Sequence, residues 1–221
     1  MNRIDAVLFD LDGTLLDSAP DLVAALNFIR HGEGLEALEV QSMSQHVSHG
    51  AAGLIGAGMP TDDEQQFESR KSRFLERYAQ NSFVHSKLYD GVSDLLAFLD
   101  ESLIPWGVVT NKVEALTIPI LKAAGLGART SCVVCGDTLA RSKPDPAPVA
   151  LACAMLKVRA INTLFVGDDV RDIQAGRAAG TQTAAVHYGY GSAEFDTDLL
   201  YGSINVNHPS DIIDQVKTSN A

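Results

Sequence analysis

The chain has 221 residues, 46% hydrophobic and 20% charged, an ordinary globular composition with room for one domain carrying an insert or for two small domains. Its formal net charge of -11 argues against a nucleic-acid or anionic-membrane surface, where Lys and Arg must dominate. No apolar stretch approaches the roughly 20 residues of a membrane span, no signal-peptide layout opens the chain, and three cysteines are too few for a disulfide framework, so a cytoplasmic protein is expected.

The first predicted element is a strand at 6–9, Ala6-Val7-Leu8-Phe9, an apolar run with β-branched and aromatic members that reads as covered on both faces. It delivers Asp10 and Asp12 to a Gly13-Thr14 turn. From 18 to 85 no β-type run occurs, and apolar residues recur at helical spacing (Leu22, Leu26, Ile29; Phe67, Phe74, Tyr78), which predicts an all-helical insert. After Tyr89-Asp90-Gly91 come a helix at 92–101, a strand at 106–109 and a helix at 113–124. A strand at 132–134, a helix at 146–156, a strand at 163–166 and a helix at 170–179 follow, then strands at 183–186 and 204–206 and a helix at 210–217. Alternation of this kind means a parallel α/β sheet. Cys132 and Cys135 form a C-x-x-C, but on a strand they point to opposite faces, so both are expected to pack, as is Cys153.

Four polar signals follow four of the predicted strands: Asp10 with Asp12, Thr110-Asn111-Lys112, Lys143-Pro144, and Gly167-Asp168-Asp169 with Asp172. In a parallel sheet the strand ends converge on one edge, where ligands bind. Asp10, Asp12 and Asp168 in one place repel unless a cation sits among them, and an oxygen-only ligand set suits Mg²⁺, with Asp12 able to contribute its main-chain carbonyl. The chemistry this supports is phosphoryl transfer, which is mostly positioning and charge stabilisation. Asp10 would attack phosphorus, and Asp12 would protonate the leaving alkoxide and then deprotonate water. Thr110 and Asn111 would hydrogen-bond phosphoryl oxygens while Lys143 offsets the charge. Asp172 and Asp169 are expected to support the metal or Lys143 from behind.

With these residues in place the chain resembles the haloacid dehalogenase superfamily phosphatases of the phosphoglycolate phosphatase type, over essentially its full length. The likeness lies in Phe9-Asp10-Leu11-Asp12-Gly13-Thr14-Leu15, Val109-Thr110-Asn111-Lys112, Ser142-Lys143-Pro144-Asp145-Pro146 and Val166-Gly167-Asp168-Asp169-Val170-Arg171-Asp172. Finer segments, Arg141-Ser142-Lys143-Pro144-Asp145-Pro146 and Gly167-Asp168-Asp169-Val170-Arg171-Asp172, resemble the N-acetylmuramic acid 6-phosphate phosphatases of cell-wall recycling.

The resemblance implies a Rossmann-like core at 1–17 and 86–221, a mobile α-helical cap domain inserted at 18–85, and Mg²⁺ held by Asp10, the Asp12 main chain and Asp168. It also implies a substrate-facing cap loop at Ser48-His49-Gly50, with His49 and Gly50 as candidate substrate contacts. The expected partner is a small phosphate ester, 2-phosphoglycolate or N-acetylmuramic acid 6-phosphate first, acted on by a monomer or homodimer with no nucleic acid or membrane. A sugar-phosphate mutase of the same superfamily and a non-catalytic phosphometabolite-binding protein are the alternatives.

Overall fold

The structure, a computed structural model, describes residues 2–221. In chain order the elements are β1 (Ala6–Phe9), β2 (Leu16–Asp17), α1 (Ala19–Gly32), α2 (Val40–Met43), α3 (Gly50–Gly58), α4 (Glu64–Gln80), β3 (Lys87–Leu88) and α5 (Val92–Glu101). Then come β4 (Trp106–Val109), α6 (Glu114–Ala123), β5 (Cys132–Val134), α7 (Ala147–Leu156) and β6 (Thr163–Gly167). The chain ends with α8 (Val170–Ala178), β7 (Gln182–Val186), α9 (Thr197–Leu200), β8 (Ile204–Val206) and α10 (Pro209–Asn220). It divides into two compact units, one of residues 1–16 with 88–221 and the other Asp17–Lys87.

The first unit is Rossmann-like, built on a six-stranded sheet in the order β5-β4-β1-β6-β7-β8. Every pairing in it is parallel, with β1 between β4 and β6. A parallel sheet needs a crossover between strands and is covered on both faces by the crossover helices, which is why β1, β4 and β6 are fully buried and carry one polar side chain among them, Thr163. On one face Leu8, Val109, Val134 and Phe165 pack with Val149, Ala152 and Cys153 of α7. Phe9 meets Trp106 edge-on at 6.4 Å, and the indole N–H donates to Asp100 at 2.8 Å, satisfying the buried donor.

All three cysteines are free and buried. Cys135 lies just beyond β5, and burial pushes the Cys132 thiol up to about 11, which makes it an inert packing group. No helix among the described residues is long and apolar enough to cross a membrane.

The second unit is helical apart from its ends, where β2 and β3 pair. Leu22, Leu26 and Ile29 of α1 and Phe74 and Tyr78 of α4 are buried, as their spacing requires, while Phe67 is half-buried. Gly58 allows α3 to approach α1 closely: a Cβ there would lie 2.7 Å from Leu26. At the far end of α1, Arg70 and Arg73 of α4 converge on Glu33 and hold its carboxyl below the usual range. Near the start of α1, the buried Asp21 carboxylate accepts the N–H groups of Val84, His85 and Ser86 and the Ser86 hydroxyl, all within 2.6–3.1 Å.

Candidate active site

The sheet ladder runs one residue past two of its strands and fixes the first site residues. The Asp10 N–H donates to Val166 O at 2.9 Å, and the Thr110 N–H to Val134 O at 2.9 Å. Lys143 reaches in from the loop between β5 and α7. Its ammonium donates to Asp10 Oδ1 at 2.7 Å, Asp172 Oδ1 at 2.7 Å and Val109 O at 2.8 Å, so all three of its hydrogens are placed. Burial opposes charge on Lys143, but Asp10 and Asp172 outweigh it and hold the lysine firmly protonated. Burial drives Asp10 upward against the pull of Lys143. It also pushes Asp172 up to about 7, with Asp10 adding to the rise and Lys143 opposing it.

The turn from β6 into α8 presents the remaining acids. Asp169 caps α8 in a reciprocal box with Asp172: the Asp169 carboxylate accepts the Arg171 N–H, and the Asp172 carboxylate accepts the Asp169 N–H at 3.1 Å. Asp172 therefore serves the cap with one oxygen and Lys143 with the other. The Arg171 guanidinium forks onto Asp169 at 2.7 Å and holds that carboxyl low against the effect of burial. Asp168 is 1% exposed and is held by neutral donors: the Thr14 hydroxyl at 2.9 Å and the N–H groups of Tyr190 and Gly191 at 2.9 and 3.1 Å. Gly13 and Gly189 make this possible, because a Cβ on either would fall within 2.3 Å of the Asp168 side chain, and Gly13 also has φ +86.

Burial, Asp10 and Asp172 together force the Asp168 carboxyl well above its ordinary range. Carboxylate oxygens of Asp10, Asp168 and Asp172 lie within 4.8 Å of one another. An oxygen-only donor set this crowded fits a hard divalent cation, whose charge removes the repulsion that otherwise drives protonation. Asp172 has an oxygen in this cluster and also accepts from the Lys143 ammonium.

Two residues are engaged differently from the sequence expectation. Asn111, expected on the phosphate, spends its amide on the Lys143 main chain: Nδ2 donates to Lys143 O at 2.9 Å and Oδ1 accepts the Lys143 N–H at 3.0 Å. The Asp12 carboxylate is ion-paired with Lys112 Nζ at 2.7 Å, a residue given no role on sequence grounds. The Thr110 hydroxyl oxygen accepts the Lys112 N–H at 3.2 Å, and a hydroxyl that accepts one bond keeps its own O–H to give. Sequence reasoning also missed Thr14 and the Tyr190 and Gly191 amides around Asp168; the Asp12-Gly13-Thr14 turn and Tyr188-Gly189-Tyr190 were their only signals. His49 and Gly50 belong to the second unit, both exposed, where a 3₁₀ turn over Ser44–His49 meets α3 and Gly50 takes φ +64.

The family model for haloacid dehalogenase-like hydrolases matches residues 7–186. An N-acetylmuramic acid 6-phosphate phosphatase of Pseudomonas aeruginosa is 42% identical over 96% of this chain and 94% of its own. A phosphoglycolate phosphatase of Xanthomonas campestris is 38% identical over 92% of both chains. The crystal structure of a predicted phosphoglycolate phosphatase from Haemophilus somnus superposes with a TM-score of 0.84 at 28% identity, covering 97% of this chain and 99% of that one.

Proposed function

Since the chain belongs to the haloacid dehalogenase-like hydrolase family, we propose that it hydrolyses phosphoric monoesters of small metabolites, with Asp10 as the attacking carboxylate. The observation that carries this reading is Asp10 itself. It is a buried carboxylate at the end of the central strand, pinned by Lys143, with a second carboxylate, Asp12, two residues on in the chain. Pinning by Lys143 opposes the effect of burial on the carboxylate and fixes its direction, which an in-line nucleophile requires.

In the first half-reaction an Asp10 oxygen bonds to phosphorus as the ester P–O bond breaks, giving an aspartyl phosphate, and Asp12, which must enter this step carrying a proton taken from solvent, hands it to the departing alkoxide. In the second, Asp12 takes a proton from water, the resulting hydroxide attacks phosphorus, and the acyl phosphate bond breaks to release phosphate and restore Asp10. Thr110 donates its O–H to a phosphoryl oxygen. Lys143 holds Asp10 and Asp172 in place throughout. Asp10, the Asp12 main chain and Asp168 would hold Mg²⁺, which supplies positive charge against the phosphoryl oxygens. Residues 18–85 act as the cap in this reading, with His49 and Gly50 as candidate substrate contacts, and a cap serves to exclude water.

The leading substrates are 2-phosphoglycolate and N-acetylmuramic acid 6-phosphate, the compounds for which the relatives are named. The test is phosphate release from both, from hexose 6-phosphates and from p-nitrophenyl phosphate. Asp10→Asn should lose at least about 10³-fold in kcat. Chelation should abolish turnover and lower Tm, and Mg²⁺ should restore both, because a cation that binds only the folded site stabilises it. Full activity in Asp10→Asn removes the covalent mechanism, and turnover that survives thorough chelation removes the metal.

A further inference from the structure

The segment after β7 bridges two separate pieces of the site. In the sheet β1, β6 and β7 are successive neighbours, so a chain leaving β7 reaches the turn after β1 only by crossing the end of β6, where Asp168 stands. Residues 188–191 make that crossing. The Gly189 backbone lies on both pieces, since a Cβ there would fall 2.3 Å from the Asp168 side chain and 2.4 Å from Gly13 O. The Tyr190 and Gly191 N–H groups donate to Asp168 Oδ2, and the Thr14 hydroxyl donates to Asp168 Oδ1. Tyr188 closes this strap: its hydroxyl donates to Thr14 O at 3.0 Å. Thr14 is 1% exposed, so water does not readily stand in for the phenol, and a buried carbonyl without a donor is unfavourable. Burial, with Asp168 adding to it, pushes the Tyr188 phenol up and keeps it a donor. Its ring is seated against Tyr89, 4.9 Å between centroids.

We propose that Tyr188 is a positioning residue for the divalent cation: through Thr14 it fixes the Asp12 main chain against Asp168, two of the groups that hold the ion. The inference rests on the metal-dependent reading above and gives a role to a side chain that the proposed reaction leaves unused. The turn after β1 moves as one piece, because Leu11 O accepts the N–H groups of Leu15 and Leu16, and the Gly13 N–H donates to Leu16 O. A hold on the Thr14 carbonyl is therefore a hold on Asp12 as well. Asp12 and Asp168 stand on different strands, and the ladder between those strands ends at the bond from the Asp10 N–H to Val166 O. Beyond it, the Thr14 hydroxyl and the 188–191 strap join the two pieces. Mg²⁺ demands near-ideal octahedral geometry, so slack between its ligands weakens binding. An ion once bound draws the ligands back together, which spares the chemical step.

The test compares wild type with Tyr188→Phe, which keeps the ring and removes the hydroxyl, and with Tyr188→Leu, which removes both. Calorimetric titration of the metal-free proteins with Mg²⁺ alone should give Tyr188→Phe a Kd about ten-fold above that of wild type, the lower end of the range for residues that support a metal ligand. Tyr188→Leu should be weakened at least as much. Phosphate release from one good ester should show the same shift in the half-saturating Mg²⁺ concentration, with kcat returning to within about three-fold of wild type at saturating Mg²⁺. A purely structural role would instead lower the Tm of metal-free Tyr188→Phe and leave the Mg²⁺ affinity of the folded protein alone. An unchanged Kd in Tyr188→Phe, a loss confined to Tyr188→Leu, or a kcat deficit that Mg²⁺ does not repair overturns the inference and leaves the metal-dependent phosphatase intact. A wild type that releases phosphate without binding Mg²⁺ overturns the metal reading and the inference with it. A wild type that binds Mg²⁺ but hydrolyses no ester overturns the phosphatase reading, and the calorimetry then decides the role of Tyr188 by itself.

Discussion

Asn111 shows how a polar residue at a strand end can act through its neighbour. Its amide closes a two-bond ring with the Lys143 main chain, so the lysine that fixes Asp10 is itself fixed from across the site. Asn111→Ala removes both bonds and should lower kcat about 10–100-fold while KM changes less than three-fold, the range typical of supporting residues around a reacting centre. A residue that binds phosphate directly would instead raise KM, so steady-state kinetics on one good substrate decides between the two roles. The sequence makes the convergence of Asp10, Thr110, Lys143 and Asp168 legible, because each follows a strand of one parallel sheet. It does not make the pairings legible. Whether Asn111 faces phosphate or a peptide group, and whether Lys112 meets Asp12, depends on side-chain directions in loops that no periodicity encodes. The amides of Tyr190 and Gly191 are invisible for a plainer reason: every residue except proline carries a backbone N–H, so a donor to Asp168 leaves no mark in residue type.

Among the elements, α1 carries the sharpest dependence on one side chain. Asp21 lies in its first turn, where the helix dipole favours an acid, and it also gathers the amides of 84–86 at the other end of the second unit. Burial opposes the charge, but the Ser86 hydroxyl and the three amides prevail and hold the Asp21 carboxyl below its ordinary value. A lowered folded-state pKa means stability that is present above the unfolded value, about 3.9, and is lost as pH falls through the folded one. Asp21→Asn should therefore cost about 2 kcal/mol at pH 7, and the gap between the two urea midpoints should narrow below pH 4. A gap that stays constant from pH 7 to pH 3 would show that the charge is not what holds the segment. The strands of the sheet were readable because double burial leaves runs such as Ala6–Phe9 and Trp106–Val109 without polar interruption. Helix ends were readable only to within a few residues, since caps such as His208 before α10 do not announce themselves by type.

At the scale of the molecule, a net charge of -11 repels the dianion it is proposed to bind, and only the local cations and a bound metal reverse that sign near the site. Raising ionic strength from about 10 to 150 mM shortens the Debye length from roughly 30 to 8 Å. It should raise kcat/KM for a phosphomonoester about two- to five-fold through the association step, leaving kcat unchanged; a falling kcat/KM would mean that attraction governs approach. The strand order has its own consequence in time. β1 is made first, yet its partners are β4 and β6, and the Asp10 amide finds its acceptor only at Val166. At ribosomal speeds of about 5–20 residues per second, Asp10 waits roughly 10–30 s for its setting to be synthesised. A nascent or truncated chain ending before β6 thus carries Asp10 without Asp168 or Asp172, and on the mechanism proposed above it is silent until β6 and the turn after it have been made.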